Sequence, residues 1–237
     1  MKIGIITPLD HHHKFIISEI YKKYKNLFII KDNKKVKAKF KNQYINHVRQ
    51  KKYEINRWFS KNIQFPEKKQ IIEIYDVNKT KNIRIIKKQK FNLLITSGSI
   101  KLSENFINNF KKTNIINLHG GDPNYYRGLD SHFWAIYHSD FKRLCSCVHL
   151  VSKKLDTGKI INIKKIKLFK NMKLYQLRSR NIELVTKMLI SSILKFSKKK
   201  IFLYKKNKIG KYYSFMPYDL KKNVEKKFDK YTKKLDE

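Results

Sequence analysis

The chain has 237 residues, 41% of them hydrophobic and 13% aromatic, which excludes a disordered protein and gives enough apolar material for one sizeable core. Its formal net charge is +38, yet only 7 of its 56 basic residues are arginine. The lysines run the length of the chain among Asn and Ile, a compositional drift that favours anionic substrates rather than a nucleic-acid surface, which would be built with Arg.

The first expected strand is Lys2 to Thr7, closed by Pro8. Its apolar part is too short for a signal peptide, and no window reaches about 18 apolar residues, so the expectation is a cytoplasmic protein without a membrane span. Asp10-His11-His12-His13 follows in a strand-to-helix turn. Two readings stand: His11, His12 and His13 contact a phosphate or sugar of the substrate beside free backbone N–H groups, or the turn is simply polar and capped by Asp10. Phe15, Ile16, Ile17, Ile20 and Tyr21 then mark a helix.

Leu27 to Ile30 reads as a second strand, and residues 33–69 as one or two basic helices anchored by Phe40, Tyr44, Tyr53, Trp58 and Phe59. Ile71 to Tyr75 is a strand, Asn78 to Gln89 a helix and Phe91 to Thr96 a strand. Ser97-Gly98-Ser99 forms a turn, and Ser103 opens another helix. This alternation predicts an α/β fold: a mostly parallel, Rossmann-like sheet with helices on both faces. No G-x-G-x-x-G occurs, so a dinucleotide is not expected.

The stretch from Asn114 to Asp140, NIINLHGGDPNYYRGLDSHFWAIYHSD, carries the chemistry. A buried strand, Ile115 to Leu118, runs into His119-Gly120-Gly121, whose glycines allow backbone angles that other residues avoid. Asn117 and His119 are two apart and share a strand face. They stand at the C-terminal end of a strand, where open α/β sheets place their sites. Asp130 is expected to cap the next helix. Tyr126 either stacks on substrate or packs, Arg127 braces its loop or meets substrate, and His132 lines the acceptor pocket or sits in the first helical turn.

Arg143 to Val151 is a strand with two buried free thiols, Cys145 and Cys147, and Ile160 to Ile166 another, with Asp156 in the loop between. Lys173 to Phe196 is a long helix, Ile201 to Tyr204 a short strand, and a closing helix starts at Asp219. The division expected is a catalytic domain over 1–170 and a C-terminal extension over 171–237, made of helix, short strands and closing helix. The apolar helix and the Tyr-rich tail suit a homodimer.

Three groups can converge. An Asn amide donates to a developing oxyanion. A His moves protons near neutral pH. An Asp orients that His or a water. With no G-x-S-x-G nucleophile, the set suits direct acyl transfer to an amine. A rival reading is a metal-dependent hydrolase using His119, Asp122 and His132. Their spacing matches no helical H-x-x-x-H pair, so no metal is expected.

Asn117-Leu118-His119-Gly120-Gly121, Tyr126-Arg127-Gly128 and Leu155-Asp156-Thr157-Gly158 with Ile160-Ile161 together resemble the folate-dependent formyltransferase family. The run HGGDPNYYRGLDSHFWAIYH and the later YYSFMP resemble its branch acting on nucleotide-linked amino sugars. The resemblance implies that Asn117 polarises the formyl carbonyl, His119 manages the proton and Asp156 pairs with His119 and a water. It implies 10-formyltetrahydrofolate as donor, held by the turn Ser97, Gly98, Ser99, Ile100 and Lys101 and by Leu155 before Asp156. The acceptor would be a nucleotide-linked amino sugar for surface polysaccharide. Initiator tRNA is a rival acceptor, although enzymes of that kind usually carry a larger β-rich C-terminal domain. Glycinamide ribonucleotide is a third.

Overall fold

The strand–helix alternation builds a seven-stranded sheet whose strands lie side by side in the order Ile71–Ile74, Leu27–Asp32, Ile3–Thr7, Leu93–Thr96, Asn114–Gly120, Cys145–Leu150, Ile160–Lys165. The computed structural model describes residues 1–60, 63–198 and 204–236. Strands β1 (Ile3–Thr7), β2 (Leu27–Asp32), β3 (Ile71–Ile74), β4 (Leu93–Thr96) and β5 (Asn114–Gly120) are parallel. β6 (Tyr126–Gly128) stands outside this sheet; β7 (Cys145–Leu150) runs antiparallel to β5, and β8 (Ile160–Lys165) antiparallel to β7.

The helices are α1 (His11–Tyr21), α2 (His47–Trp58), α3 (Thr80–Lys88), α4 (Glu104–Asn109), α5 (Ser131–Tyr137), α6 (Leu174–Ser197) and α7 (Tyr218–Thr232). The strands are apolar almost throughout because both sheet faces are covered. Ile3, Ile5, Leu27, Ile29, Leu93 and Ile95 cluster with Ile16, Ile17 and Ile20 of α1 and with Val185, Leu189 and Ile193 of α6. Their neighbours Ile6, Ile30, Ile74 and Leu94 cluster instead with Ile83 and Ile86 of α3 and Phe106 of α4. That two-residue alternation is the strand period itself.

The architecture is the mostly parallel α/β sheet expected. Some particulars differ. β5 continues through His119 and Gly120, which pair with Cys147 and Ser146 of β7. α6, assigned from sequence to the extension beyond residue 170, buries Ile182, Val185 and Leu189 in the main core, so that boundary cuts through one packed unit. A second small sheet was not visible in the sequence: β9 (Lys211–Tyr213) pairs parallel with β6, Arg127 opposite Tyr212. Of the strand expected over Ile201 to Tyr204, only Tyr204 lies within the described residues.

Candidate active site

The site is built where β4, β5 and β7 end side by side. Pairing sets Thr96 beside Asn117, and Asn117 directly opposite His149. Thr96 donates its hydroxyl to Asn117 Oδ1 at 2.7 Å, which turns the amide nitrogen away from β4. That nitrogen donates to His149 Nε2 at 3.1 Å and to Asp156 Oδ1 at 3.3 Å. His119, 7% exposed, donates from Nε2 to the Tyr126 carbonyl at 3.1 Å, and its Nδ1 stands 3.6 Å from Asp156 Oδ2. The three residues singled out in the sequence thus meet.

Asp156 occupies the left-handed region at φ +53°, a conformation Asp tolerates better than most residues. It is buried, and burial alone would raise its pKa. The charge of a neighbouring His119, the His149 ring and the Gly128 N–H (2.9 Å) outweigh that and hold the carboxyl well below the usual carboxylate range. Gly128 makes this contact at φ +95°, where a Cβ would lie 2.2 Å from the Tyr213 carbonyl. Only glycine fits there. Gly120 and Gly121 are not among the positive-φ positions, contrary to the sequence reading. What Gly121 supplies is room, since a Cβ would lie 2.7 Å from that of Ser131.

His149 was missed. Its Nδ1 donates to the Leu150 carbonyl at 2.8 Å and its Nε2 lies 3.4 Å from Asp156 Oδ1, so the carboxylate is flanked by two imidazoles. A register irregularity between Val148 and His149 against β8 bends the strand at this point, a common device beside active sites.

Two cavities flank the cluster. A tight one of about 50 Å³ is lined by Ser99, Ile100, Lys101, Asn117, Leu155 and Asp156. Ser97 and Gly98, expected with them, are not on its wall: Ser97 is buried, with its N–H on the Ile6 carbonyl, and Gly98, at φ +66°, packs on the His13 ring. A wider cavity of about 420 Å³ is lined by His119, His132, Gln50, Arg178, Asn181 and Lys221, among others. His132 donates Nε2–H to the Cys145 carbonyl at 2.7 Å, and burial lowers its pKa to about 4 against that bond.

Several expected contacts fall elsewhere. His11, His12 and His13 line neither cavity. His11 pairs with the buried Glu54 at 2.6 Å, His13 accepts the Asp10 N–H, and burial lowers the pKa of His13 to about 4 and that of His12 well below its ordinary value. The Tyr126 side chain lines neither cavity either; it is buried, stacked with Tyr213 and hydrogen-bonded to Asp140. Arg127 braces its loop, donating to the carbonyls of Gly210 at 2.6 Å and Leu155 at 2.8 Å. Asp130 sits at the helix start without capping it, because its carboxylate accepts from the Met216 N–H (2.9 Å) and pairs with Lys221 (2.8 Å). Asp122 is bound by Arg143, and among the described residues no group of three or more His, Cys, Asp or Glu is arranged to hold a metal ion. Also among them, no helix is long and apolar enough to cross a membrane.

The Asn–His–Asp cluster stands beside strand ends of a doubly wound sheet, where such folds place their sites. The formyl transferase family model matches residues 21–193, a stretch that contains the whole cluster. The chain belongs to that family. The fold has solved relatives. A 4-N formyltransferase from Francisella tularensis is 16% identical with a TM-score of 0.60, covering 90% of this chain and 76% of that one. A sugar N-formyltransferase from a Shewanella species is 15% identical, also at 0.60 and with the same coverage. The formyltransferase PseJ from Anoxybacillus kamchatkensis, solved with UDP-4,6-dideoxy-4-formamido-L-AltNAc and tetrahydrofolate, is 16% identical at 0.57, covering 90% of this chain and 86% of that one. No curated protein matches by sequence.

Proposed function

We propose that this formyltransferase moves a formyl group from 10-formyltetrahydrofolate to the amino group of a nucleotide-linked deoxyamino sugar. The observation that carries the reading is the Asn117–His119–Asp156 cluster standing between two cavities of unlike size. The sugar N-formyltransferases among the structural relatives support the acceptor class.

The amine attacks the formyl carbon from the wider cavity, and a C–N bond forms. The oxyanion that develops is held by the Asn117 amide, whose orientation Thr96 has set. The attacking nitrogen, now positively charged, gives its proton to His119. Asp156, kept ionised, steadies the imidazolium. His119 returns the proton to N10 of the folate as the C–N10 bond breaks, so one proton passes from acceptor amine to departing nitrogen. The donor enters on the side of Ser99, Ile100, Lys101 and Leu155. At about 50 Å³ that cavity is well below the 300–1,000 Å³ of ordinary ligand pockets, so the turn and the Asp156 loop part to admit it.

The test is an assay with 10-formyltetrahydrofolate and a panel of UDP-, dTDP- and GDP-linked amino sugars, following tetrahydrofolate release. Release with one sugar names the acceptor. Folate binding without release on any sugar moves the acceptor to tRNA or another amine, and no folate binding overturns the donor assignment.

A further inference from the structure

The first turns of α6 face the wider cavity. Leu174, Leu177, Arg178 and Asn181 all line it, and their spacing of three to four residues is one stripe of a helix. A helix read from sequence as long and apolar thus presents two polar side chains to the wider cavity, and the two are held in opposite ways.

Arg178 is neutralised where it stands. Glu54, fully buried on α2, accepts from Arg178 Nε at 2.8 Å and Nη2 at 2.7 Å, and also from His11 at 2.6 Å. The other cation on the wall, Lys221, is paired with Asp130 at 2.8 Å. Each cation therefore already has its counter-charge, and the wall offers an incoming phosphate little electrostatic gain.

Asn181 is different. It is 8% exposed, and its Oδ1 accepts the hydroxyl of the fully buried Ser146 at 2.7 Å. The Ser146 hydroxyl, which also lies 3.3 Å from the Asn181 backbone carbonyl, thus faces Oδ1 and leaves Nδ2 on the Gly120 side. Among the described residues no protein group accepts from Nδ2, which lies 3.1 Å from where a Cβ on Gly120 would sit. Gly120 directly follows His119. That N–H pair borders the cavity one residue from the proton-handling imidazole. A ligand oxygen placed there takes the part that solvent otherwise plays as its acceptor.

We propose that Asn181 is a specificity-determining residue that donates a hydrogen bond to an uncharged oxygen of the acceptor, a hydroxyl or amide carbonyl beside the reacting amine. Ser146 is the positioning residue behind it. The assignment rests on the amino-sugar reading above and deepens it: the wider cavity reads the sugar, and the phosphates lie beyond its neutralised wall. A site built to donate to a substrate oxygen discriminates against analogues lacking it, because the donor then stays unpaired.

The experiment is steady-state kinetics on the accepted nucleotide sugar and on its analogue lacking the neighbouring oxygen. Asn181→Asp keeps the shape and the Ser146 bond but replaces the donor with an acceptor. It should raise KM for the accepted sugar at least tenfold, leave kcat within about threefold and leave KM for the folate unchanged. On the analogue, already weak with the native enzyme, it should add almost nothing. Ser146→Ala, which frees the amide without removing it, should raise the acceptor KM about threefold. An unchanged acceptor KM in Asn181→Asp, or equal losses on both sugars, overturns the assignment while leaving the amino-sugar reading intact. Should Asn181→Asp not fold, an unchanged acceptor KM in Ser146→Ala overturns it. A native enzyme that formylates no sugar of the panel overturns the amino-sugar reading and this assignment with it.

Discussion

The two cavities beside the Asn–His–Asp cluster are built on different plans. The tight one takes its wall from two short stretches, residues 96–102 and 149–156, each continuous with a strand end, and from Asn117 of β5 between them. The wide one gathers residues from Tyr44 and α2, the end of β5, the stretch from Gly128 into α5, α6 and α7, spread over most of the chain. The difference is informative about a transferase. The tight side is local, set by the same strands that set the Asn–His–Asp cluster. The wide side joins that cluster to helices distant in the chain.

That contrast can be broken or sharpened by substitution. The largest effect is expected at the groups that stand between the two cavities, His119 on the wide side and Asn117 on the tight one. His119→Ala should lower kcat by roughly 10²–10⁴-fold, the range for a lost general acid–base group, with both KM values little changed. Asn117→Ala should lower kcat on the order of a hundredfold or more, from roughly 2.7–4 kcal/mol of lost oxyanion stabilisation, in a protein that still melts cooperatively. Normal turnover by either variant would remove the cluster from the mechanism.

Next comes a change confined to one side. Ser99→Trp places a large ring on the wall of the tight cavity. It should raise KM for the folate about tenfold or more, roughly 1.4 kcal/mol, and leave the acceptor KM within twofold. If the acceptor KM moved equally, the two cavities would not be separate subsites.

The last effect leaves turnover aside: it is on stability and concerns the wide side. His132 is held neutral in the fold with its pKa lowered to about 4, whereas an unfolded His titrates near 6.5. Between those values the unfolded chain binds more protons, so stability falls as pH drops from about 6.5 toward 4 and is complete above that window. The ring accounts for up to roughly 3 kcal/mol of this loss. Thermal melts of His132→Gln should show a shallower decline over that window. Asp156, with its pKa depressed instead, contributes stability that persists through the same window and is lost only in stronger acid.

What was legible in the sequence follows the same division. Asn117 and His119 stood out because a strand period of two and an abrupt glycine stop fix their face and position without knowledge of any partner. Asp156 was located through its surrounding motif. His149 was not found, because nothing local marks it. It matters only through pairing opposite Asn117, and register between two strands is not written in either strand alone. Arg178, Asn181 and Lys221 were missed for a related reason: each is one polar residue in a helix whose pattern is otherwise satisfied by core packing. The three consecutive histidines suggested a ligand or a polar turn, and nothing local shows that Glu54, 43 residues from His11, pairs with one ring while burial lowers the pKa of the other two.

The stitching of residues 207–216 has a consequence for how the protein comes into being. Asn207 donates to the carbonyls of Asp156 and Gly158, the Arg127 brace ends on Gly210, the Leu129 N–H is received by Tyr213, and the Met216 N–H reaches Asp130. A ribosome will have released every strand of the large sheet, and all three reacting side chains, some forty residues before these fastenings emerge. At that stage the Asp156 carboxylate already has its partners Asn117, His119, His149 and the Gly128 N–H, while its backbone still lacks the Asn207 clasp. The clasp on the Asp156 loop is thus among the last contacts of the site to become available during synthesis.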